Sequence, residues 1–247
     1  MNYFGLNDTL ENIRRLTARD EYARKAYQTF WGLRIIRQDP WECLISYICA
    51  TYKSIAAIRH MLNNLSEKFG EKVAFEKNDY YTFPLPQKLS NATITELRDC
   101  GLGYRAKYVS ETSKKIQQET FDLESLKKLS YKQAKEELLT LPGVGPKVAD
   151  CILLFSQEKL EAFPVDIWIK RIMLKHYAQY FPESFIQKAS NQGSPSLKSY
   201  ETINAFGRNY FGKYAGYAQE YLFHYERTLQ PKSSKQLFKN PKCTLRS

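Results

Sequence analysis

Two residues of this chain sit in settings that invite chemistry: a lysine at position 147 and an aspartate at position 166. Lys147 stands in "LPGVGPKVADC" (141–151), directly after a glycine- and proline-rich turn and at the start of an apolar helical run. A turn needs its glycines, but nothing in a turn requires a lysine. In the first turn of a helix the dipole and partial burial both disfavour an ammonium, so its pKa is expected to fall. A neutral amine is a nucleophile able to form a Schiff base. A phosphate-contacting cation fits the same place, and spacing alone leaves both open. Asp166, in "AFPVDIWIKRI" (162–172), follows Pro-Val and precedes another helical run, which makes it a good N-cap. A carboxylate held by helix amides is expected to stay ionised with a low pKa. Such a charge stabilises an oxocarbenium-like sugar cation or helps to activate the lysine. Capping alone accounts for the position as well.

The elements that must hold these residues read as helices. Residues 131–140 form one helix and 146–156 begin another, with Leu141-Pro-Gly-Val-Gly145 between them. Gly143 and Gly145 let the backbone turn and remove side chains that would block close approach. The unpaired amides of the second helix then make a phosphate seat, favoured by the helix dipole. This is a helix-hairpin-helix pattern. The turn carbonyls of Leu139, Leu141 and Val144 could hold a cation that bridges to the phosphate. A plain corner between two helices has the same spacing.

Apolar residues recur at three- and four-residue spacing over 24–37, 41–51, 54–65, 105–116 and 132–139. Further helices are expected over 146–156, 167–178, 200–210 and 217–228. Punctuation falls at "DP" (39–40), "FPLP" (83–86), "CGLG" (100–103) and "PGVGP" (142–146). Residues 189–198 read as a loop, and strand-like alternation is scarce. The expected fold is all-α, with a helical domain over 1–230 in two parts. One part covers about 40–140 and the other 1–39 plus 141–230. A basic tail, 231–247, carries Lys232, Lys235, Lys239, Lys242 and Arg246 without an acid.

Composition narrows the partners. The 247 residues are 43% hydrophobic and 14% aromatic, enough for a globular core. A net charge of +11 suits a polyanion such as nucleic acid. No run of 18 apolar residues is present to span a membrane. The five cysteines, Cys43, Cys49, Cys100, Cys151 and Cys243, match neither zinc nor iron–sulfur spacing and read as reduced thiols.

With these residues in place, "LPGVGPKVADC" followed by "PVDIW" resembles the helix-hairpin-helix, Gly/Pro-Asp DNA glycosylases, and within them the 8-oxoguanine branch. "GLRIIRQDPWECLISYICA" (32–50), "CGLGYRAKYVS" (100–110) and "FGKYAGYAQEYLF" (211–223) carry the same resemblance, which covers roughly residues 25–228. It implies a bifunctional glycosylase and abasic-site lyase acting on flipped 8-oxoguanine in damaged double-stranded DNA. Lys147 would attack the sugar and Asp166 would support the sugar cation. The resemblance places Cys151 and Phe223 on the two faces of the base and Gln219 at its Watson–Crick edge. It makes Tyr104 a wedge and gives Arg105 a hydrogen bond to the estranged partner base. Gly143, Val144 and Gly145 would contact the backbone. Tyr52 stands where relatives use an asparagine to fill the gap left by the base, Ala57 replaces an arginine, and Trp168 replaces a histidine. From the residues themselves, the reduced thiols read as intracellular and nothing suggests an oligomer, so a monomer with no cofactor, no metal held by side chains and no membrane partner is expected. Members of this branch usually begin with a long antiparallel β-domain, and only about 24 residues precede the shared region here, so most of that domain is expected to be missing. Two other functions share part of this pattern: an endonuclease III-like enzyme for oxidised pyrimidines, and a non-catalytic hairpin that only grips phosphate.

Overall fold

A computed structural model describes residues 2–76 and 78–229. The basic tail from residue 231 lies outside the described residues, as does Cys243. The expected all-α architecture is borne out. The chain order is α1 (Leu10–Thr17), α2 (Glu21–Thr29), α3 (Pro40–Ala50), α4 (Ile55–Phe69), β1 (Lys72–Phe75) and β2 (Asn78–Tyr81). Then come α5 (Pro86–Asn91), α6 (Ile94–Leu97), α7 (Arg105–Gln117), α8 (Tyr131–Leu138) and α9 (Pro146–Ser156). α10 (Ile167–His176), α11 (Glu183–Ser190), α12 (Leu197–Phe211) and α13 (Ala215–Leu229) complete it.

Two helices form the centre. α3 starts where the Asp39 side chain accepts the Glu42 amide at 2.9 Å and Pro40 occupies the first turn. Its apolar sequence buries Cys43, Leu44, Ile45, Ile48 and Cys49. α9 is buried almost all round, from Val148 to Leu154, as a helix without a polar face must be. The two pack together, with the Tyr47 and Phe155 rings stacked at 5.8 Å. α4 and α7 both pack on α3. A second group forms around α13, which packs against α2, α10 and α12, with Tyr27 stacked on Tyr221 at 3.8 Å.

Two expectations need correction. The helix expected over 24–37 stops at Thr29, and residues 33–39 run without regular structure. Phe30 is the C-cap, Gly32 takes φ +96° in the turn that follows, and the next arginines bind backbone and acid instead. Arg34 donates to Asp8 O at 2.9 Å, and Arg37 pairs with Asp8 at 2.7 Å. The second correction is a β-hairpin in a chain read as helical. β1 and β2 pair antiparallel, Lys72 opposite Tyr81 and Phe75 opposite Asn78, and every residue of both strands is exposed.

Candidate active site and nucleic-acid interface

The hairpin is built by α8, its turn and α9. Ser130 caps α8 reciprocally with Gln133. Gly143 adopts φ +82°, and a Cβ there would meet Tyr108 of α7 at 2.8 Å, so conformation and packing both demand glycine. Gly145 differs. Its φ of −95° suits any residue, and a Cβ there would meet nothing within 4 Å. Nothing inside the fold excludes a side chain from Gly145; it leaves the start of α9 open to an approach from outside. Gly145 is the N-cap of α9 and offers no side-chain hydrogen bond, so the first-turn amides lack an internal partner. α7 anchors the turn: Thr112 donates to Pro142 O at 3.1 Å and Lys115 to Thr140 O at 3.3 Å. Val144 is buried, and its amide donates to Leu141 O at 3.1 Å. One of the three turn carbonyls therefore already serves the turn. Among the described residues no group of three His, Cys, Asp or Glu side chains is arranged to hold a metal ion.

Lys147 and Asp166 stand at the N-terminal ends of α9 and α10, near enough that the charge of Lys147 acts on the Asp166 carboxyl without a direct ion pair between them. Lys147 is half-buried, and its Nζ lies over the ring of Tyr47 at 5.1 Å from the centroid. Asp166 caps α10, accepting the Ile169 amide at 2.8 Å. The expected low pKa is wrong. Burial pushes the Asp166 carboxyl above its ordinary value, and the Ile169 amide and the charge of Lys147 only partly offset this. Glu220 adds to the upward push. Cys151, one helical turn beyond Lys147, is 3% exposed, and burial pushes its thiol up to about 12. It stays neutral and cannot compete as a nucleophile.

Gln219 and Phe223 line one face of α13. Gln219 is buried, and its Oε1 has no hydrogen-bond partner, an unusual state for an enclosed amide. Phe223 is half-buried under the Arg227 guanidinium, 5.0 Å from its centroid. Two surface cavities, of about 530 and 620 Å³, lie elsewhere and border none of these residues.

Tyr104 and Tyr52 project outward, 55% and 84% exposed. Tyr52 takes φ +55°, a left-handed conformation that a tyrosine seldom holds. Arg105 departs from its expected role. It is 3% exposed, donates to Thr51 O and to Leu102 O (3.5 Å), and lies over the Tyr104 ring at 4.4 Å. Two of its guanidinium nitrogens meet carbonyls while the buried Nε has no partner, and it links the segment carrying Tyr52 to the one carrying Tyr104. Trp168 is half-buried beneath Arg171, 5.4 Å from its centroid.

Sequence reasoning misses Tyr47, Glu220 and Asp150. Tyr47 and Glu220 look like ordinary helical residues. Asp150, fully buried, accepts from Tyr131 (2.5 Å), Lys135 (2.7 Å), Asn204 (3.0 Å) and Tyr200. An aspartate within an apolar helix was the one available signal, since a buried charge must be paired.

Known proteins resemble this chain in sequence and in fold. Residues 45–180 match the model for the HhH-GPD superfamily base excision DNA repair protein. Residues 1–44 match that for the 8-oxoguanine DNA glycosylase N-terminal domain, so the shared region reaches residue 1 instead of starting near 25. The chain is 33% identical to the N-glycosylase/DNA lyase of Saccharomyces cerevisiae, over 92% of this chain and 65% of the relative. It is 37% identical to the N-glycosylase/DNA lyase OGG1 of Arabidopsis thaliana, over 85% of this chain and 56% of the relative. It thus spans less than two thirds of either curated relative. A solved structure of Clostridium acetobutylicum 8-oxoguanine glycosylase/lyase, in complex with dsDNA containing cytosine opposite to 8-oxoG, superposes with a TM-score of 0.81 at 39% identity. That match covers 92% of this chain and 73% of the other.

Proposed function

Since the chain belongs to the HhH-GPD superfamily of base excision DNA repair proteins, we propose that it excises 8-oxoguanine from duplex DNA and then nicks the abasic strand. The placement of Lys147 and Asp166 at neighbouring helix N-termini, with the neutral Cys151 thiol on the same face of α9, carries this assignment. Phosphate binding alone needs neither a carboxylate beside the lysine nor a buried amide with a free acceptor.

In the proposed reaction the hairpin amides and the open Gly145 seat a backbone phosphate. The target nucleotide leaves the stack at a cost of a few kcal/mol. Tyr104 and Tyr52 enter the gap, which offsets part of that cost by stacking. The base lodges between Cys151 and Phe223, and Gln219 offers its unpartnered Oε1 to the base edge. Cys151 and Gln219 are nearly enclosed, so entry requires the side chains around them to move apart. The C1′–N9 bond breaks with its electron pair going to the base, while the ionised Asp166 stabilises the positive sugar. The Lys147 amine bonds to C1′, and ring opening gives an imine. Loss of a proton from C2′ then expels the 3′ phosphate oxygen, which completes β-elimination.

The test is a panel of duplexes containing 8-oxoguanine opposite each base, guanine, thymine glycol or an abasic site. Excision is expected for 8-oxoguanine and strand cleavage at the abasic site. Borohydride should trap the protein on both, and Lys147→Gln should abolish trapping while leaving binding intact. Trapping that persists in Lys147→Gln would assign the imine to another amine. Cleavage of abasic DNA alone would reduce the activity to that of a lyase.

A further inference from the structure

The Asp150 cluster is an expensive thing to bury. A fully enclosed carboxylate with its lysine is often no more stabilising than packed apolar side chains. Its members do more than satisfy one another. Asn204 of α12 donates to Asp150 at 3.0 Å and to Phe163 O at 2.9 Å. Tyr200, one turn earlier, donates to Asp150 and lies 3.2 Å from Pro146 O. Pro146 immediately precedes Lys147, and Phe163 lies three residues before Asp166. Residues 162–165 between them are buried, and Gly207 of α12 brings its backbone against the Phe163 ring, where a Cβ would sit at 2.4 Å. One face of α12 therefore grips both backbone segments that carry the proposed catalytic pair, with Asp150 as the shared anchor.

We propose that Asn204, held by Asp150, is a positioning residue that sets where the Asp166 carboxylate stands relative to Lys147. This rests on the glycosylase assignment above. Asn204 touches neither DNA nor the reacting atoms; it acts through the Phe163 carbonyl. Glycosidic cleavage needs Asp166 beside the developing sugar cation. Cleavage of a preformed abasic site needs chiefly the Lys147 amine. Losing the Asn204–Phe163 bond should slow the first step and spare the second.

The experiment measures single-turnover excision of 8-oxoguanine and cleavage of an abasic duplex by the full chain, by Asn204→Ala and by Tyr131→Phe. Tyr131→Phe removes one bond to Asp150 and the 3.4 Å bond to Asn204 Oδ1 but leaves the Asn204–Phe163 O bond, the one the proposal turns on, in place. Asn204→Ala is expected to lose about tenfold or more in excision, with abasic cleavage within about twofold of the parent. Tyr131→Phe should keep the parental ratio of the two rates even where its melting temperature drops. If the alanine variant does not fold, Asn204→Ser, whose hydroxyl is too short to span both partners, is read the same way. Parallel loss of both rates, or no loss, overturns the proposal while the glycosylase assignment stands. A parent inert on both duplexes overturns that assignment, and the proposal falls with it.

Discussion

Asp166 holds two duties whose demands on its proton differ. As the cap of α10 it needs only an acceptor oxygen; as the partner of a sugar cation it needs its charge. Burial raises its pKa above the ordinary 3.8, so the native state disfavours the ionised form relative to the unfolded chain. The sign follows from linkage: this penalty is full above the raised pKa and is relieved as pH falls through it. Asparagine caps as well as aspartate and carries no charge to desolvate. Asp166→Asn should therefore melt no lower than the parent at neutral pH, and any advantage should shrink as the solution is acidified. The same substitution should slow excision about 100-fold or more if the charge stabilises the transition state. Excision by the parent should fall on acidification at a pH above 3.8, and melting curves and rates over one pH series separate the two duties. A variant that loses stability while keeping its rate per folded molecule would leave Asp166 as a cap only.

At the scale of elements, the hairpin separates folding from binding between two glycines. Gly143 is fixed by its left-handed backbone and by Tyr108, so Gly143→Ala should cost roughly 1–3 kcal/mol in denaturant unfolding. Gly145→Ala meets open space at an ordinary φ and should stay within about 0.5 kcal/mol of the parent. If a phosphate sits on the α9 amides, that methyl intrudes on it, and affinity for duplex DNA should fall while stability does not. Unchanged affinity would make the turn a simple corner. The hairpin was legible because glycine, proline and caps leave marks in sequence, and most helices were legible because one face of each is apolar. The Lys72–Tyr81 hairpin was not, since its turn at Glu76 lacks the glycine or asparagine that signals one. The pairing of Asp150 with Asn204 and Tyr200 also escaped, because α9 and α12 meet only through tertiary packing. The raised Asp166 pKa is hidden from sequence for the same reason: its cap is local and visible, whereas its burial belongs to the folded whole.

The whole molecule carries a net charge of +11, and salt sensitivity tells what that excess does. Each phosphate neutralised by a lysine or arginine releases counterions, and log affinity for duplex DNA falls with log salt by about 0.9 per contact. This gives a way to decide between the two roles open to Lys147. A phosphate-bound ammonium contributes one contact, so Lys147→Gln would flatten the slope by about 0.9. An amine facing the sugar, with its Nζ over Tyr47, neutralises no phosphate, and the slope should be unchanged while trapping is lost. Titrations of the parent and Lys147→Gln against an uncleavable abasic analogue at several salt concentrations measure both slopes. Parallel lines are expected. A flatter line for the variant would return Lys147 to the cationic surface and remove the nucleophile from the proposed mechanism.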